Sequence, residues 1–369
     1  MTKKYDPENE RLKRQYLIYK REAGQQSEAS LDAIAKALDR FDSYNGFKTF
    51  KAFHTQQAIG FKRHLAAQRN ERTGEPLSAS TQYSTLAALR AFFLWLASQP
   101  GFKSRIAYGD ADYFNMPRGE CRIARTRRAR AAPSLEQVLD VIAKMPSENP
   151  IERRDRALVA FILLTGARDG AVASLQLGDV DMDAGQVEFD ARHVRTKFSK
   201  TFVTCFFQVG EEVRAIVQDW VDYLRNELLW GPADPLFPAT SVEPGPNRQF
   251  APAGLARAPW STATPIRAIF KKAFTAAGHP YFPPHRLRNT LTDLGKRICR
   301  TPEEFKAWSQ NLGHEDVMTT FMSYGEVSTA RQAEIIRELA NVSEESGDAM
   351  EHLQRAMAAM ARNTSGGRA

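Results

Sequence analysis

Apolar positions in the first third of the chain recur at helical spacing. Leu31, Ile34, Leu38 and Phe41 form one stripe, and residues 50–69 form a second pattern with Lys and Arg on its polar side. The third is the clearest. Ser78 or Ser80 can cap it, Leu86, Leu89, Phe93 and Leu96 line one face, and Pro100-Gly101 ends it. Phe92, Phe93 and Trp95 fall on this pattern and read as core rather than as exposed stacking groups. Residues 1–117 therefore predict a compact helical bundle.

A second helical unit is expected from Ser134. Gln137, three residues on, completes a capping box, and Glu136 suits the positive end of the helix dipole. Asp155–Leu164 (DRALVAFILL) reads as a buried helix stopped at Thr165-Gly166, and Val172–Leu177 as a short turn. The period then changes. Gln186–Arg192 alternates, with Val187 and Phe189 on one face, and Thr201–Val209 is rich in β-branched and aromatic residues. The polar, basic HVRTKFSK lies between them, so a β-hairpin or small meander with a lysine-bearing turn is expected. Residues 211–230 return to helix, with Val213, Ile216, Val217 and Trp220 at helical spacing. Residues 231–262, with several Pro and Gly, read as loop. Further helices are expected at 264–278, 287–300, 302–311, 328–340 and 348–362. The fold class is mostly α with a small β-hairpin or sheet in the second part (α+β).

Composition narrows the class. At 369 residues, with 43% hydrophobic and 25% charged residues, the chain is long enough for two domains with real cores. It is neither a disordered chain nor a disulfide-stapled miniprotein. No apolar run approaches the roughly 18 residues that span a bilayer. The start, MTKKYDPENERLKRQY, has no apolar leader, and the helical module follows almost at once, which predicts a simple two-domain design. Cys121, Cys205 and Cys299 have neither disulfide-framework nor zinc-site spacing, so a reduced, cytoplasmic setting is expected.

Charge is uneven. Of the net +8, residues 1–133 carry +11, from 24 Lys and Arg against 13 Asp and Glu, and residues 134–369 carry −3. A basic module joined to a near-neutral one suggests a polyanion partner, and nucleic acid is the commonest. The densest cluster is RGECRIARTRRAR, Arg118 to Arg130. It has no apolar period and leads to Pro133, which disfavours helix just before it, so an extended basic linker over 118–133 is expected. Arg118, Arg122, Arg125, Arg127, Arg128 and Arg130 are its candidate DNA contacts.

The chain lacks a Walker A sequence, a Rossmann glycine fingerprint, an HExxH and the clustered carboxylates of a two-metal site. No cofactor and no metal are therefore expected. What residues 134–369 do contain is spaced basic groups. Arg168 stands in LLTGARDGAVASL, and Lys197 and Lys200 in RTKFSK. His285 and Arg288 form H-x-x-R in PPHRLRNTLTDLG, His314 lies in NLGHEDV, and Tyr324 in TTFMSYG. Each has an ordinary reading when taken alone: Arg168 as a helix C-terminal cation, the lysines as solvated turn residues, the histidines as caps or core groups, Tyr324 as packing. His54, His64, His193, His279 and His352 fit no site pattern.

Taken in order, T-G-x-R, a hairpin lysine, H-x-x-R at a Pro-led helix start, L-G-H and a nearby Tyr resemble the tyrosine recombinase (phage integrase) family. The likeness runs from about residue 134 to 340, and the basic helical module before it is similar to that family's core-binding domain. The resemblance implies a core-binding domain at 1–117, the linker at 118–133, a catalytic domain at 134–345 and a C-terminal tail at 346–369. It implies a site-specific recombinase or integrase that breaks and rejoins double-stranded DNA through a 3′-phosphotyrosyl bond, without metal or ATP. Tyr324 would be the nucleophile, the only tyrosine after Tyr281. Arg168 and Arg288 would neutralise the non-bridging oxygens, since planar guanidiniums pair with phosphate. Lys197 would protonate the leaving 5′ oxygen, with Lys200 as the second candidate for that role and otherwise a DNA contact. His285 would assist deprotonation of the tyrosine, and His314 would donate a hydrogen bond to the phosphate.

Three positions depart from the pattern. Ala171 stands where an acidic residue is common, so a partner for Arg168 is missing or comes from elsewhere, Asp169 being one candidate. Asn289 stands where His is common, and Tyr324 follows His314 by ten residues, one more than usual. In the tail, Met350, Leu353, Met357 and Met360 form an apolar stripe after Ser346-Gly347. Such a helix must pack on something, and the family implies exchange with a neighbouring protomer in a homo-tetramer on DNA. Accessory bending or directionality proteins are possible partners. The alternatives are a type IB-like topoisomerase, which shares the chemistry, and a DNA-binding regulatory protein that keeps the fold without the activity.

Overall fold

The computed structural model describes residues 5–70, 73–125, 131–196, 199–244 and 249–313. The chain divides into two compact units, with the boundary between Thr126 and Arg127.

The first unit contains helices α1 (Pro7–Glu22), α2 (Glu28–Tyr44), α3 (Thr55–Ala67), α4 (Ala79–Ala97) and α5 (Arg118–Arg125), with 3-10 turns at Phe50–Ala52 and Tyr108–Phe114. Their starts follow ordinary capping. Asp6 accepts from the amides of Glu8 and Asn9, Ser27 from that of Ser30, and Ser78 from that of Thr81. Of the two candidate caps for α4, Ser78 is therefore the one used. The core is aromatic. Phe41 from α2 is fully buried and meets Phe61, Phe93 and Phe114 edge-on at 5.3, 5.5 and 5.4 Å between ring centres. Phe92 and Phe93 are buried in this core, as the apolar spacing predicts. A polar clasp joins α1 to α2: Asn9 donates to Asp42 and to Lys48 O, each at 3.0 Å, and accepts from the Phe50 amide at 2.9 Å.

The basic segment differs from the extended linker expected. Arg118–Arg125 is helical and packs against α4 within the first unit. Only the small, half-buried Cys121 and Ala124 mark its inner face, so two turns leave no apolar period to read. Arg118 and Arg122, four residues apart, lie on the exposed side.

The second unit opens with α6 (Leu135–Lys144), where Ser134 and Gln137 form the expected capping box. α7 (Pro150–Thr165) follows and is buried from Ala157 to Thr165, with the short α8 (Asp169–Val172) after it. β1 (Val180–Asp181), β2 (Gln186–Phe189) and β3 (Phe202–Cys205) form an antiparallel meander in the order β1-β2-β3. Val187 and Phe189 face the core and pair with Thr204 and Phe202. α9 (Glu211–Asp222) continues into a π-helical turn at Tyr223–Glu227. α10 (Thr264–Ala276), α11 (Arg286–Ile298) and α12 (Pro302–Asn311) complete the described part. The helices expected at 328–340 and 348–362, and the tail stripe, lie outside the described residues.

Residues 231–262 are not all loop. β4 (Pro238–Pro244) and β5 (Phe250–Pro259) pair as an antiparallel two-stranded ribbon. Its prolines sit on a ribbon of two strands, with no third strand among the described residues, where a missing amide breaks little, and register shifts interrupt its ladder near Ser241. The ribbon's base is held by Arg154 of α7, whose guanidinium donates to Pro238 O at 3.0 Å and to Thr240 Oγ1 at 2.9 Å and lies over the Trp260 ring.

Replacing Phe41 with Ala removes a ring in contact with six aromatic neighbours, so the first unit should lose about 3–5 kcal/mol of stability. Urea denaturation followed by helical circular dichroism measures this, and a loss below about 1 kcal/mol would contradict the central place given to Phe41.

Candidate active site

The site begins where α7 ends. The Thr165 hydroxyl donates to Phe161 O at 2.7 Å and accepts from the Ala167 amide at 3.2 Å. Gly166 caps the helix at φ 64°, the left-handed region that glycine enters freely. A Cβ there would come within 2.8 Å of Leu312 and 3.1 Å of Leu291, so the turn is closed to side chains by space as well as by φ. Arg168 follows at the head of α8.

The second arginine arrives from α11. Pro283 and Pro284 shape its entry: their carbonyls accept from the amides of Arg286 at 2.8 Å and Leu287 at 3.1 Å. His285 stands just before the helix, and Arg288 is carried inward to 5% exposure. Arg288 Nη1 donates to Gly166 O at 2.6 Å, and Nη2 donates to Leu312 O. Gly166 and Leu312 are the C-terminal caps of α7 and α12. The partial negative ends of two helices therefore converge on one guanidinium. β3 braces the second of these ends. Asn311 exchanges side-chain bonds with the Cys205 backbone at 2.7 and 2.8 Å, and Thr204 Oγ1 donates to Asn311 O at 3.1 Å.

Arg168 and Arg288 line one pocket, together with Thr165, Ala171, Thr196 and Thr204. Phe189 and Phe202, stacked at 4.8 Å, wall one side. Burial, and then the neighbouring charge of Arg168, push Arg288 down to about 9, which leaves it protonated at neutral pH. Burial also lowers Arg168. His285 is lowered from its ordinary 6.5 by burial and then by Arg288, Arg168 and Arg286, with Asp169 opposing. More than a third of His285 is open to solvent, so the three guanidiniums are the firmer cause.

Asp169 does not partner Arg168. It accepts from Arg267 Nε at 2.7 Å and from the Gly170 amide at 3.0 Å. Ala171 is buried against the pocket and offers no carboxylate. Among the described residues the Arg168 guanidinium makes no hydrogen bond or ion pair, and it lines the pocket.

Of the six residues singled out for chemistry, Arg168, Arg288 and His285 come together here, and Lys197, His314 and Tyr324 lie outside the described residues. Lys200 is exposed just before β3. Arg118 and Arg122 belong to the first unit, the helix α5 ends at Arg125, and Arg127, Arg128 and Arg130 lie outside the described residues. Three histidines without a site pattern have ordinary partners: His64 with Gln68, His193 with Asp179 and His279 with Asp140.

Sequence reasoning missed Arg195 and Thr196. Arg195 donates to Trp260 O at 2.6 Å, Ala173 O at 3.2 Å and Ser261 O, tying the loop after β2 to α8 and to the end of β5. Its charge was visible in RTKFSK, but acceptors so far along the chain were not. Among the described residues no group of three or more His, Cys, Asp or Glu is placed to hold a metal ion, and no helix is long and apolar enough to cross a membrane.

A mostly helical unit with a small meander and two arginines on one pocket defines a class. Residues 134–331 match the phage integrase family, and the chain belongs to it and so to the tyrosine recombinases. It is 25% identical over 279 residues to a tyrosine recombinase XerC of Xylella fastidiosa, covering 73% of this chain and 79% of that protein. It is 32% identical over 121 residues to the tyrosine recombinase XerC 2 of Ralstonia nicotianae, covering 33% of this chain and 32% of that one. Among solved structures, it shares its fold with a lambda integrase dimer bound to a COC′ core site (TM-score 0.58, 14% identity, 89% of this chain and 83% of that). It also shares its fold with the XerH recombinase in a pre-cleavage complex with difH (TM-score 0.53, 16% identity, 85% of this chain and 79% of that).

Gly166→Ala should destabilise the second unit by about 2–4 kcal/mol, from left-handed strain and overpacking together. Thermal unfolding tests this, and an unchanged midpoint would contradict the closed turn. Because its pKa is lowered on folding, His285 binds fewer protons folded than unfolded. Stability should therefore be full above the ordinary value of 6.5 and fall as pH drops below it. Urea midpoints at about pH 8 and pH 5 should differ more for the native protein than for His285→Gln. Equal differences would show that His285 is not the group responsible.

Proposed function

We propose that this chain is a site-specific DNA recombinase or integrase that cleaves and rejoins strands through Tyr324. The observation that carries this reading is the pair Arg168 and Arg288, two guanidiniums on one pocket inside the region that matches the family. A phosphodiester resists attack because its oxygens are negative. Two fixed cations lower that barrier and need no reorganisation during reaction.

In the proposed step the Tyr324 oxygen attacks phosphorus and the P–O5′ bond breaks. The 3′ end remains as a phosphotyrosyl ester, and the 5′ oxygen takes a proton from Lys197. His285, neutral at pH 7 because its pKa is lowered, is suited to accept the tyrosine proton. His314 completes the donors to the phosphate. The reverse attack by a 5′ hydroxyl reseals the strand and frees Tyr324, so the ester conserves the energy of the broken link. Duplex DNA is the substrate, gathered by the positive charge of residues 1–133, with Arg118 and Arg122 on the open side of α5 among the phosphate contacts. A homo-tetramer on DNA is the assembly this reading implies, with residues 346–369 as the segment exchanged between protomers.

A second reading has one observation in its favour. Among the described residues no carboxylate orients Arg168, since position 171 is Ala and Asp169 is held by Arg267. A protein that binds DNA and has lost cleavage would tolerate that.

The two readings separate on covalent trapping. Native protein and Tyr324→Phe are incubated in EDTA with nicked duplexes taken from both ends of the DNA element that carries the gene. An SDS-resistant protein–DNA adduct is expected with the native protein alone. An adduct with Tyr324→Phe would remove Tyr324 as nucleophile. Salt-sensitive binding with no adduct from either protein would favour the second reading.

A further inference from the structure

We propose that Thr196 is a further catalytic residue of this site, its hydroxyl donating a hydrogen bond to a non-bridging oxygen of the phosphate that Arg168 and Arg288 hold. The proposal deepens the recombinase reading above and rests on it. Three threonine hydroxyls line the pocket. Two are used within the fold: Thr165 Oγ1 donates to Phe161 O at 2.7 Å, and Thr204 Oγ1 donates to Asn311 O at 3.1 Å. The third, Thr196 Oγ1, is buried and has no hydrogen-bond partner among the described residues. A buried hydroxyl left unpaired opposes folding, and such groups in native proteins call for a reason. The surrounding charge supplies one. Arginine offers donors only, so nothing presented by Arg168 or Arg288 can take the Thr196 proton. An anion bound between them can.

Thr196 is also held where a preorganised donor needs to be. Its amide donates to Val194 O at 2.8 Å. The residue before it is fixed at both ends: the Arg195 amide donates to Ser174 Oγ at 2.9 Å, and the Arg195 guanidinium donates to the carbonyls of Ala173, Trp260 and Ser261. The hydroxyl therefore waits in place before substrate arrives, which is the condition under which a donor lowers a barrier.

Three substitutions test this in the full chain. Thr196→Val keeps the shape and deletes the hydroxyl, Thr196→Ser keeps the hydroxyl, and Arg168→Ala reports on the anion site itself. Two readouts are taken: the rise in thermal midpoint caused by inorganic phosphate, against chloride of equal ionic strength, and the rate of adduct formation on nicked DNA. Without phosphate, Thr196→Val should be as stable as the native protein or more so. Its phosphate-dependent rise should shrink and its adduct rate fall by roughly tenfold or more, and Thr196→Ser should restore both. A Thr196→Val protein that keeps the full phosphate effect and rate, while Arg168→Ala loses them, overturns the proposal and leaves the two-arginine site standing. Lower stability of Thr196→Val without phosphate also overturns it, because the hydroxyl would then serve the fold. If Arg168→Ala keeps the phosphate effect, the anion site of the recombinase reading falls first.

Discussion

Burying a guanidinium is costly, and burying it beside a second one is more so, because both charges leave water and repel. Arg288 is in that position, 5% exposed with Arg168 next to it. Two backbone carbonyls accept from it, Gly166 O at the end of α7 and Leu312 O at the end of α12. Helix ends stabilise a cation through partial charge without cancelling it. Much of the second unit follows from this. Gly166 must be glycine so that Leu312 and Leu291 can close over the turn, and Asn311 must bind β3 so that the end of α12 stays in place.

The same logic explains where the acids went. Asp169 is adjacent to Arg168 in sequence and is engaged by Arg267 at 2.7 Å instead. Position 171, half a turn on, is a buried alanine. Among the described residues, then, neither position gives Arg168 a carboxylate. Burial, and then the charges of Arg288, Arg168 and Arg286, lower the pKa of His285.

How much of this was legible in the sequence depends on the range of the interaction. Local signals read well. The capping box at Ser134, the buried run in α7, the meander with Val187 and Phe189 inward and the Pro-led start of α11 all rest on neighbours within a few residues. The ordered arginines, histidine and flanking motifs were enough to place the chain in its family. The misses are long-range or short of signal. α5 has only two small inward residues and showed no period. The β4–β5 ribbon is Pro-rich and mostly exposed, and its base is fixed by Arg154, more than eighty residues away. Arg195 was one basic residue among several until its acceptors, Ala173, Trp260 and Ser261, came into view. Thr196 carried no signal, because an unpaired hydroxyl is a property of the folded chain alone.

Charge along the chain divides the work that the recombinase reading requires. Attraction of a polyanion over distance depends on net charge and is weakened by salt. Residues 1–133, at +11, supply it, and residues 134–369, at −3, do not. Stabilising one reacting phosphate depends on a few donors at contact distance in a place that excludes water, where screening is weak. Arg168 and Arg288 meet that need with two charges, held by packing and helix ends. The two requirements conflict if one surface serves both, since a strongly basic catalytic face would grip every phosphate equally along a duplex. A near-neutral unit with one concentrated positive pocket avoids this. On the recombinase reading its arginines would engage a phosphate that the charge of residues 1–133 helps to gather.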